Sequence, residues 1–261
     1  MNRITPGGYI HVTSTGGTDA GIAPSQRVNI HTGKGIVKGI FGWPAIHTRP
    51  MPENNPTSTN IFIDCGCKSR EEAEGLGVQV GDLITYECAF MVLNHKYLTG
   101  RALDNRLGGF AIARLAHLLK QEGVELPFSL YFVNAVQEEV GTRGAQMIAE
   151  TIKPNCVFVT DVTHATRSPM MDQDKEGDIE LGKGVVIPKS PPIHNKLRKL
   201  LSDTAGEYEI PWQPSAITKE TGTDADAFAY ARGGIPPRFF PSHCAICTPP
   251  SKQPIATMLQ V

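Results

Sequence analysis

The sequence lacks a long apolar run and carries almost no net charge. These two absences reduce the range of functions that the sequence allows. No apolar run approaches the roughly 20 residues that a transmembrane helix requires. The N-terminus also lacks the continuous apolar segment of a signal peptide. The formal net charge is -1 and the pI is about 6.7, so no basic excess favours nucleic acid or an anionic membrane. We therefore expect a cytoplasmic protein with neither nucleic acid nor membrane partners.

Cysteine is scarce, with 6 residues in 261, which argues against a disulfide scaffold. Cys65 and Cys67 could combine with Cys244 and Cys247 into a zinc site, but a single intervening residue is a poor zinc spacing. The sequence has no Gly-x-Ser-x-Gly motif, so serine hydrolysis has no support. Residues 177–184 imitate a phosphate-binding loop but end in glycine, where that motif requires Ser or Thr. We predict none of these three sites.

Residues 1 to about 96 alternate short apolar stretches with clusters of Gly, Pro, Asn and Ser, which is typical of β-strands joined by turns. The predicted strands are 9–12, 27–31, 35–41, 60–63 and 83–93. One helix interrupts them, because Ser69 and Glu72 have the spacing of a capping box. The pattern changes near residue 97. We therefore predict a β-rich domain at 1–96 and an α/β domain at 97–261.

The second half of the chain alternates helical and strand patterns, which predicts an α/β fold. One predicted helix begins after Asp104. The other predicted helices lie at 145–152, 192–205 and 223–231. One predicted strand is an apolar run that starts at Phe128 and ends before Glu138; another lies at 156–160 and ends before Asp161. No regular period of either kind follows Pro236.

Four carboxylates lie at the ends of these predicted elements, namely Asp104, Glu138, Glu139 and Asp161. Because ligands of open α/β sheets bind beyond the carboxyl ends of the strands, we expect Glu138, Glu139 and Asp161 to face one crevice. A carboxylate can bridge two cations, so the group suits a two-metal hydrolytic site. Adjacent residues point in different directions. One glutamate of the pair could bind metal while the other accepts a proton.

Other interpretations of these carboxylates stay open at this point. Asp104 could cap its helix, and the other three could be solvated charges in turns. Two of them could form the acid pair of a glycosidase, whose carboxyl groups lie roughly 5–9.5 Å apart. His164, shortly after Asp161, could bind a metal or hydrogen-bond to a metal ligand, but we favour a structural, hydrogen-bonded histidine.

Three motifs in order resemble the glutamyl and deblocking aminopeptidases, which are tetrahedral, co-catalytic metallo-aminopeptidases, some of them called endoglucanases. The motifs are Arg101–Arg106, Val136–Gly141 and Asp161–Ala165; Leu181–Gly184 and Gly222–Ala225 fit the same pattern. The resemblance implies a zinc-peptidase-like α/β fold, with a mixed sheet flanked by helices. Residues 1–96 resemble the small β-rich domain that is inserted into this fold and shapes its assembly.

The resemblance also implies a role for each carboxylate. Asp104 looks like the carboxylate that bridges two divalent metal ions, and Glu138 looks like the general base. Glu139 looks like a ligand of the second metal, and Asp161 like a ligand of the first. Zinc or cobalt is the expected metal, since carboxylate and imidazole donors suit both. Members of this family trim peptides from the N-terminus inside dodecameric particles, so peptides and further copies of the chain are the expected partners.

Two departures from the family pattern concern its metal-binding histidines. The first of these histidines precedes the inserted domain in the family, and here the chain begins at that domain, so we expect it to be missing. The last histidine belongs to a C-terminal segment where this chain has Ser242–Cys247. A shifted reading frame there can encode the family's Leu-Arg-Tyr-Met-His sequence, so we predict a frameshift after Pro236. The alternatives to an aminopeptidase are an inactive fragment that retains only assembly, and a glycan hydrolase.

Overall fold

The computed structural model describes residues 1–49 and 55–235, and the backbone of two strands at 237–246 and 257–260. The chain forms two compact units, the first made of Met1–Ala89 and the second starting at Phe90. The strand predicted at 83–93 is two strands in the structure, one in each unit. The observed division therefore falls inside that predicted strand, ahead of the expected boundary near residue 97.

The first unit is a six-stranded antiparallel sheet with one α-helix. Its strands are β1 (Arg3–Ile4), β2 (Ile10–His11), β3 (Arg27–Thr32), β4 (Gly35–Gly42), β5 (Phe62–Asp64) and β6 (Leu83–Tyr86), in the spatial order β1-β2-β5-β4-β3-β6. A 3-10 helix spans Ala20–Ile22, and helix α1 spans Arg70–Gly75.

Helix α1 begins at the predicted capping box. The N–H of Glu72 donates to Oγ of Ser69 at 3.2 Å. Oε2 of Glu72 accepts from the N–H of Lys68 at 2.7 Å, one residue before the cap. The first bond satisfies a backbone donor that the first turn of a helix leaves without a partner, and the second satisfies the donor of the residue before the cap.

The core of the first unit comes from the two-residue period of its strands. Val28 and Ile30 of β3 are fully buried, and the residues between and beside them are not. Ile10 of β2 and Ile63 of β5 are opposite each other in the ladder and are also fully buried. One face of the sheet therefore supplies an apolar core.

The second unit combines α-helices with a mixed sheet. Its strands are β7 (Met91–Leu93), β8 (Tyr97–Thr99), β9 (Val157–Thr163), β10 (Val185–Lys189), β11 (Trp212–Ala216), β12 (Pro237–Ile246) and β13 (Thr257–Gln260). Five of them form a sheet in the order β7-β8-β13-β12-β9, in which β12 and β9 are parallel. Strands β10 and β11 form a separate parallel pair. The predicted α/β class with a mixed sheet is confirmed.

The helices of the second unit are α2 (Leu103–Gln121), α3 (Arg143–Ile152), α4 (Gln173–Glu176), α5 (Asn195–Glu207) and α6 (Asp224–Tyr230), and a 3-10 helix spans Ala231–Gly233. Helices α3 and α6 pack on β9 through buried small and aromatic side chains, among them Ala145, Ala149, Val159, Ala225 and Phe228. Among the helices of the described part of the chain, none is both long enough and apolar enough to cross a membrane.

Two predictions about strands are wrong. The apolar run from Phe128 is not a strand in the structure, and Phe128, Tyr131 and Val136 are exposed by 62%, 63% and 65%. A strand needs a hydrogen-bonding neighbour as well as suitable residues, and the composition of this run could not supply one. Conversely, β12 and β13 lie where no regular pattern was found. The predicted frameshift after Pro236 concerns side chains that are outside the described residues.

Replacing a core isoleucine of the first unit should destabilise it. We expect Ile63→Ala to lower the free energy of unfolding by about 2–5 kcal/mol, because the lost methylene groups leave a cavity in a packed core. The matched control is Ile36→Ala in β4, whose side chain is 58% exposed, and this change should stay within about 0.5 kcal/mol. Urea unfolding followed by Trp43 fluorescence in a Trp212→Phe background measures both. Equal losses in the two variants would contradict the assigned core.

Candidate functional site

Asp104 lies in the first turn of α2, where the backbone departs from helical geometry. Its φ and ψ are −79° and 114°. The adjacent Asn105 uses both ends of its side-chain amide: Nδ2 donates to the carbonyl of Thr160 at 2.6 Å, and Oδ1 accepts from the N–H of Gly108 at 2.8 Å. Since Thr160 precedes Asp161 in β9, Asn105 ties the turn that carries Asp104 to the strand that carries Asp161. The sequence analysis gave Asn105 no role.

Gly108 allows α2 and β9 to approach each other closely. A Cβ at Gly108 would lie 2.5 Å from Oγ1 of Thr160 and 2.6 Å from Oδ1 of Asn105. Both distances are far shorter than a carbon–oxygen contact permits. At the next position, Gly109, a Cβ would meet nothing within 4 Å. The close contact between α2 and β9 therefore requires a residue without a side chain at position 108, but not at position 109.

Glu138 and Glu139 lie in the turn that leads into α3. The carbonyl of Glu138 accepts from the N–H groups of Gly141 and Thr142, each at 3.0 Å. This bonding fixes the backbone on which both carboxylates are placed. The side chain of Glu138 is half-buried, whereas that of Glu139 is exposed. The two adjacent carboxylates therefore occupy different environments, as adjacent residues pointing in different directions should.

Asp161 lies within β9 and not beyond its end, because β9 continues to Thr163. The prediction that the strand ends before this residue is therefore wrong by three positions. Asp161 is only 8% exposed, and its Oδ1 accepts from the N–H of Val162 at 2.8 Å. A buried carboxylate in a strand is held more rigidly than one in a loop.

Burial and mutual repulsion make these carboxylates unusually basic. Burial, followed by the negative charges of Asp161, Asp224, Glu139 and Asp104 in that order, raises the pKa of Glu138 to about 8. Burial likewise raises the pKa of Asp161 to about 7, although its bond from Val162 opposes the shift. Each group feels the charge of the others, so the fold brings the predicted carboxylates into one electrostatic cluster.

Asp104 and Glu139 belong to the same cluster. Burial raises the pKa of Asp104, and the charge of His164 lowers it in part. Although Glu139 is exposed at the surface, partial desolvation of its carboxyl by the surrounding protein, followed by repulsion from Asp104, raises its pKa. His164 therefore lies close enough to Asp104 to stabilise its charged form. This position is compatible with a role beside the cluster.

Asp224 is a fifth member of the cluster and was not among the site residues predicted from the sequence, although it lies in the motif Gly222–Ala225. It is the first residue of α6, with Thr223 as the N-cap. Its charge raises the pKa values of both Glu138 and Asp161. Its Oδ1 is buried and has no hydrogen-bond partner among the described residues. The signal that could have found it is its position in the first turn of a helix, which it shares with Asp104.

The donor set suits a divalent cation in chemistry and charge. Carboxylate oxygens are hard ligands, and the buried Oδ1 of Asp224 is an acceptor that a cation would satisfy. The ligands are not assembled, however: within the described ranges, no three His, Cys, Asp or Glu side chains converge closely enough to hold a metal ion. The zinc site that could combine Cys65 and Cys67 with Cys244 and Cys247 involves two side chains outside the described residues.

Comparisons with known proteins relate this chain to peptidases. The family model described as M42 glutamyl aminopeptidase matches residues 1–243. A lysyl aminopeptidase of Pyrococcus furiosus is 32% identical over 240 residues, which are 90% of this chain and 67% of that protein. The chain spans about two thirds of the length of several curated relatives that it matches.

Solved structures give the same result. A TET aminopeptidase from the marine sediment archaeon Thaumarchaeota archaeon SCGC AB-539-E09 superimposes with a TM-score of 0.90 at 30% identity, over 100% of this chain and 72% of that one. The TET1 peptidase of Pyrococcus horikoshii, which can assemble into a tetrahedron or a large octahedral shell, gives 0.81 at 29% identity, over 99% and 74%. Both likenesses cover the two units described above.

The two adjacent glycines of α2 give a prediction with opposite signs. Gly108→Ala should destabilise the second unit by about 1–3 kcal/mol, because the new methyl group overlaps Thr160 and Asn105. Gly109→Ala has open space and should stabilise it by about 0.5–1 kcal/mol, since alanine loses less backbone entropy in a helix. Urea unfolding followed by Trp212 fluorescence in a Trp43→Phe background compares them. A stabilising Gly108→Ala would show that α2 and β9 are not in close contact.

Proposed function

Because the chain belongs to the M42 glutamyl aminopeptidase family, we propose that it is a metal-dependent aminopeptidase that removes residues from the N-termini of peptides. The observation that carries the proposal is the carboxylate cluster formed by α2, the turn before α3, β9 and α6. Four separate elements bring like charges together at a cost in folding energy. A cation bound among these carboxylates would offset their mutual repulsion.

Asp104, Glu139 and Asp161 are the residues that we propose would hold two divalent metal ions. Zinc or cobalt would suit these oxygen donors. When bound, such ions polarise a peptide carbonyl and make water more acidic. The unpartnered Oδ1 of Asp224 supports a cation at this place.

Glu138 is the proposed general base. It is half-buried, and burial is the largest contribution to its raised pKa. A carboxylate in this environment binds a proton more readily than one in water, so it can take a proton from the attacking water. It then returns that proton to the amine that leaves when the peptide bond breaks. The different surroundings of Glu138 and Glu139 support giving proton transfer to the first and metal binding to the second.

Assembly into a homo-oligomer is part of the proposal. The structural neighbours with high TM-scores include a peptidase that can assemble into a tetrahedron or an octahedral shell. We infer that copies of this chain associate in a similar way, as a dodecamer. Light scattering of the purified protein measures the mass of the assembly.

The activity test uses a panel of aminoacyl-p-nitroanilides with added Zn²⁺ or Co²⁺. An aminopeptidase should release nitroaniline from substrates with a free amino group and not from the matched N-acetylated substrates. Absence of turnover with either metal would favour the inactive fragment that retains only assembly. Release of reducing sugar from a β-glucan, with no cleavage of the anilides, would instead favour a glycan hydrolase.

Removing the proposed base should abolish most turnover. Glu138→Gln keeps the size of the side chain but removes its ability to accept a proton, so we expect kcat to fall about 100- to 10,000-fold. Steady-state kinetics on the best anilide substrate measures the loss. Glu122→Gln, at the exposed C-cap of α2, is the matched control and should leave kcat unchanged. A retained kcat in Glu138→Gln would remove this residue from the mechanism.

Removing a proposed ligand should weaken metal binding itself. Asp161→Asn replaces a charged oxygen donor by a neutral amide, and we expect metal affinity to fall by more than the about 10- to 100-fold that loss of a ligand's hydrogen-bond partner typically causes. Isothermal titration with Zn²⁺ measures this affinity without any substrate. Asp203→Asn, which alters an exposed carboxylate paired with Lys199 on α5, is the control. Equal affinities in the two variants would place the metal elsewhere.

A further inference from the structure

The turn Cys65–Gly66–Cys67, which directly follows β5 in the first unit, places two thiols next to each other. Oδ1 of Asp64 accepts a hydrogen bond from the N–H of Gly66 at 2.8 Å, which closes an Asx-turn. Gly66 has a φ of +80°, a left-handed conformation that glycine adopts at little cost. The result is that Sγ of Cys65 lies 3.6 Å from Sγ of Cys67. In an extended strand, the side chains of residues two apart would point to the same face, but no turn would hold their sulfur atoms together.

The two thiols have different surroundings. Cys67 is 8% exposed and packs in the core of the first unit, whereas Cys65 is half-buried. Burial raises the pKa of the Cys67 thiol to about 11, and the neighbouring Cys65 and the charges of Glu72 and Asp64 act in the same direction. Cys65 is therefore the thiol that an external reagent meets first. Cys67 is more deeply buried and is protonated at neutral pH.

Packing alone explains only one member of this pair. A small buried hydrophobe at position 67 fits the core, and cysteine often has that role. It does not explain a second thiol at position 65 or a turn that brings both sulfurs together. A metal site has no support either, because the described residues offer no third ligand close enough to the pair.

We propose that Cys65 and Cys67 are a reversible dithiol site that reacts with low-molecular-weight disulfides such as glutathione disulfide. The thiolate of Cys65 attacks one sulfur of the reagent, forms a mixed disulfide and releases one thiolate. Cys67 then loses its proton and attacks the sulfur of Cys65, which forms the Cys65–Cys67 disulfide and releases the second thiolate. The two thiols lose two electrons and two protons in total, and the reagent becomes two thiols.

The site belongs to the first unit and does not depend on the proposed peptidase activity, because the carboxylate cluster lies wholly in the second unit. In a reducing compartment the dithiol form would persist, and the disulfide would form when the ratio of disulfide to thiol rises. The Cys65–Cys67 pair is thus a redox-sensitive modification site.

Mass spectrometry of the intact chain after exposure to glutathione disulfide tests the proposal. Alkylation of remaining thiols and digestion with trypsin give separate peptides, because 39–68 contains Cys65 and Cys67 only, 71–96 contains Cys88 only, and 144–167 contains Cys156 only. We expect peptide 39–68 to lose two hydrogens, about 2 Da, and to escape alkylation, with dithiothreitol reversing both changes. Cys88 and Cys156 should not form a disulfide within their peptides.

Variants separate the two thiols and the turn. Cys67→Ser should stop the reaction at the mixed disulfide on Cys65, whereas Cys65→Ser should leave Cys67 largely unmodified. Gly66→Ala places a Cβ on a left-handed backbone and should slow formation of the Cys65–Cys67 disulfide about 10-fold. Gly66→Asn is the matched control, since asparagine tolerates this conformation, and should react at close to the unchanged rate.

Several results would overturn the proposal. One is alkylation of both thiols in peptide 39–68 after exposure to an excess of glutathione disulfide. Another is a mixed disulfide on Cys65 that persists in the unchanged protein, which would mean that Cys67 cannot reach it. A disulfide from Cys65 to any other cysteine would also overturn it, as would equal rates for Gly66→Ala and Gly66→Asn.

Discussion

Repulsion between partly buried carboxylates is the constraint on which the second unit depends. Glu138 and Asp161 each feel the charges of Asp224, Glu139 and Asp104, and burial removes much of the water that would screen them. Like charges in such surroundings favour protonation or a bound cation. Four separate elements carry these charges although their repulsion costs folding free energy. Proteins usually retain such unfavourable arrangements at functional sites.

The cluster is held in place by contacts that do not involve its charges. Asn105 joins the first turn of α2 to the backbone of β9, and Gly108 lets the helix approach that strand. Glu138 and Glu139 are placed by the backbone bonds of the turn before α3. Rigid placement matters for a metal site, because a ligand that moves loses affinity. The supporting contacts are therefore as necessary to the proposed function as the carboxylates.

The two units contain different chemistry. The first has a continuous apolar core, and beside it an Asx-turn holds Cys65 and Cys67 together. The second has smaller buried residues around β9 and exposes several large apolar side chains, including Phe110 and Phe128. Reaction of the dithiol and hydrolysis at the carboxylates can thus be measured independently. Each proposal can fail without the other.

The sequence by itself predicted most of the helices and the carboxylates of the candidate site. A capping box predicted helix α1, and helical patterns in the sequence predicted α2, α3, α5 and α6, because these signals act within a few residues. The family motifs pointed to Asp104, Glu138, Glu139 and Asp161. Only the tertiary structure decided that the run from Phe128 is not a strand, that β9 extends past Asp161, and that Asp224 joins the cluster. Strand pairing and electrostatic proximity join residues far apart in the chain, so no local pattern records them.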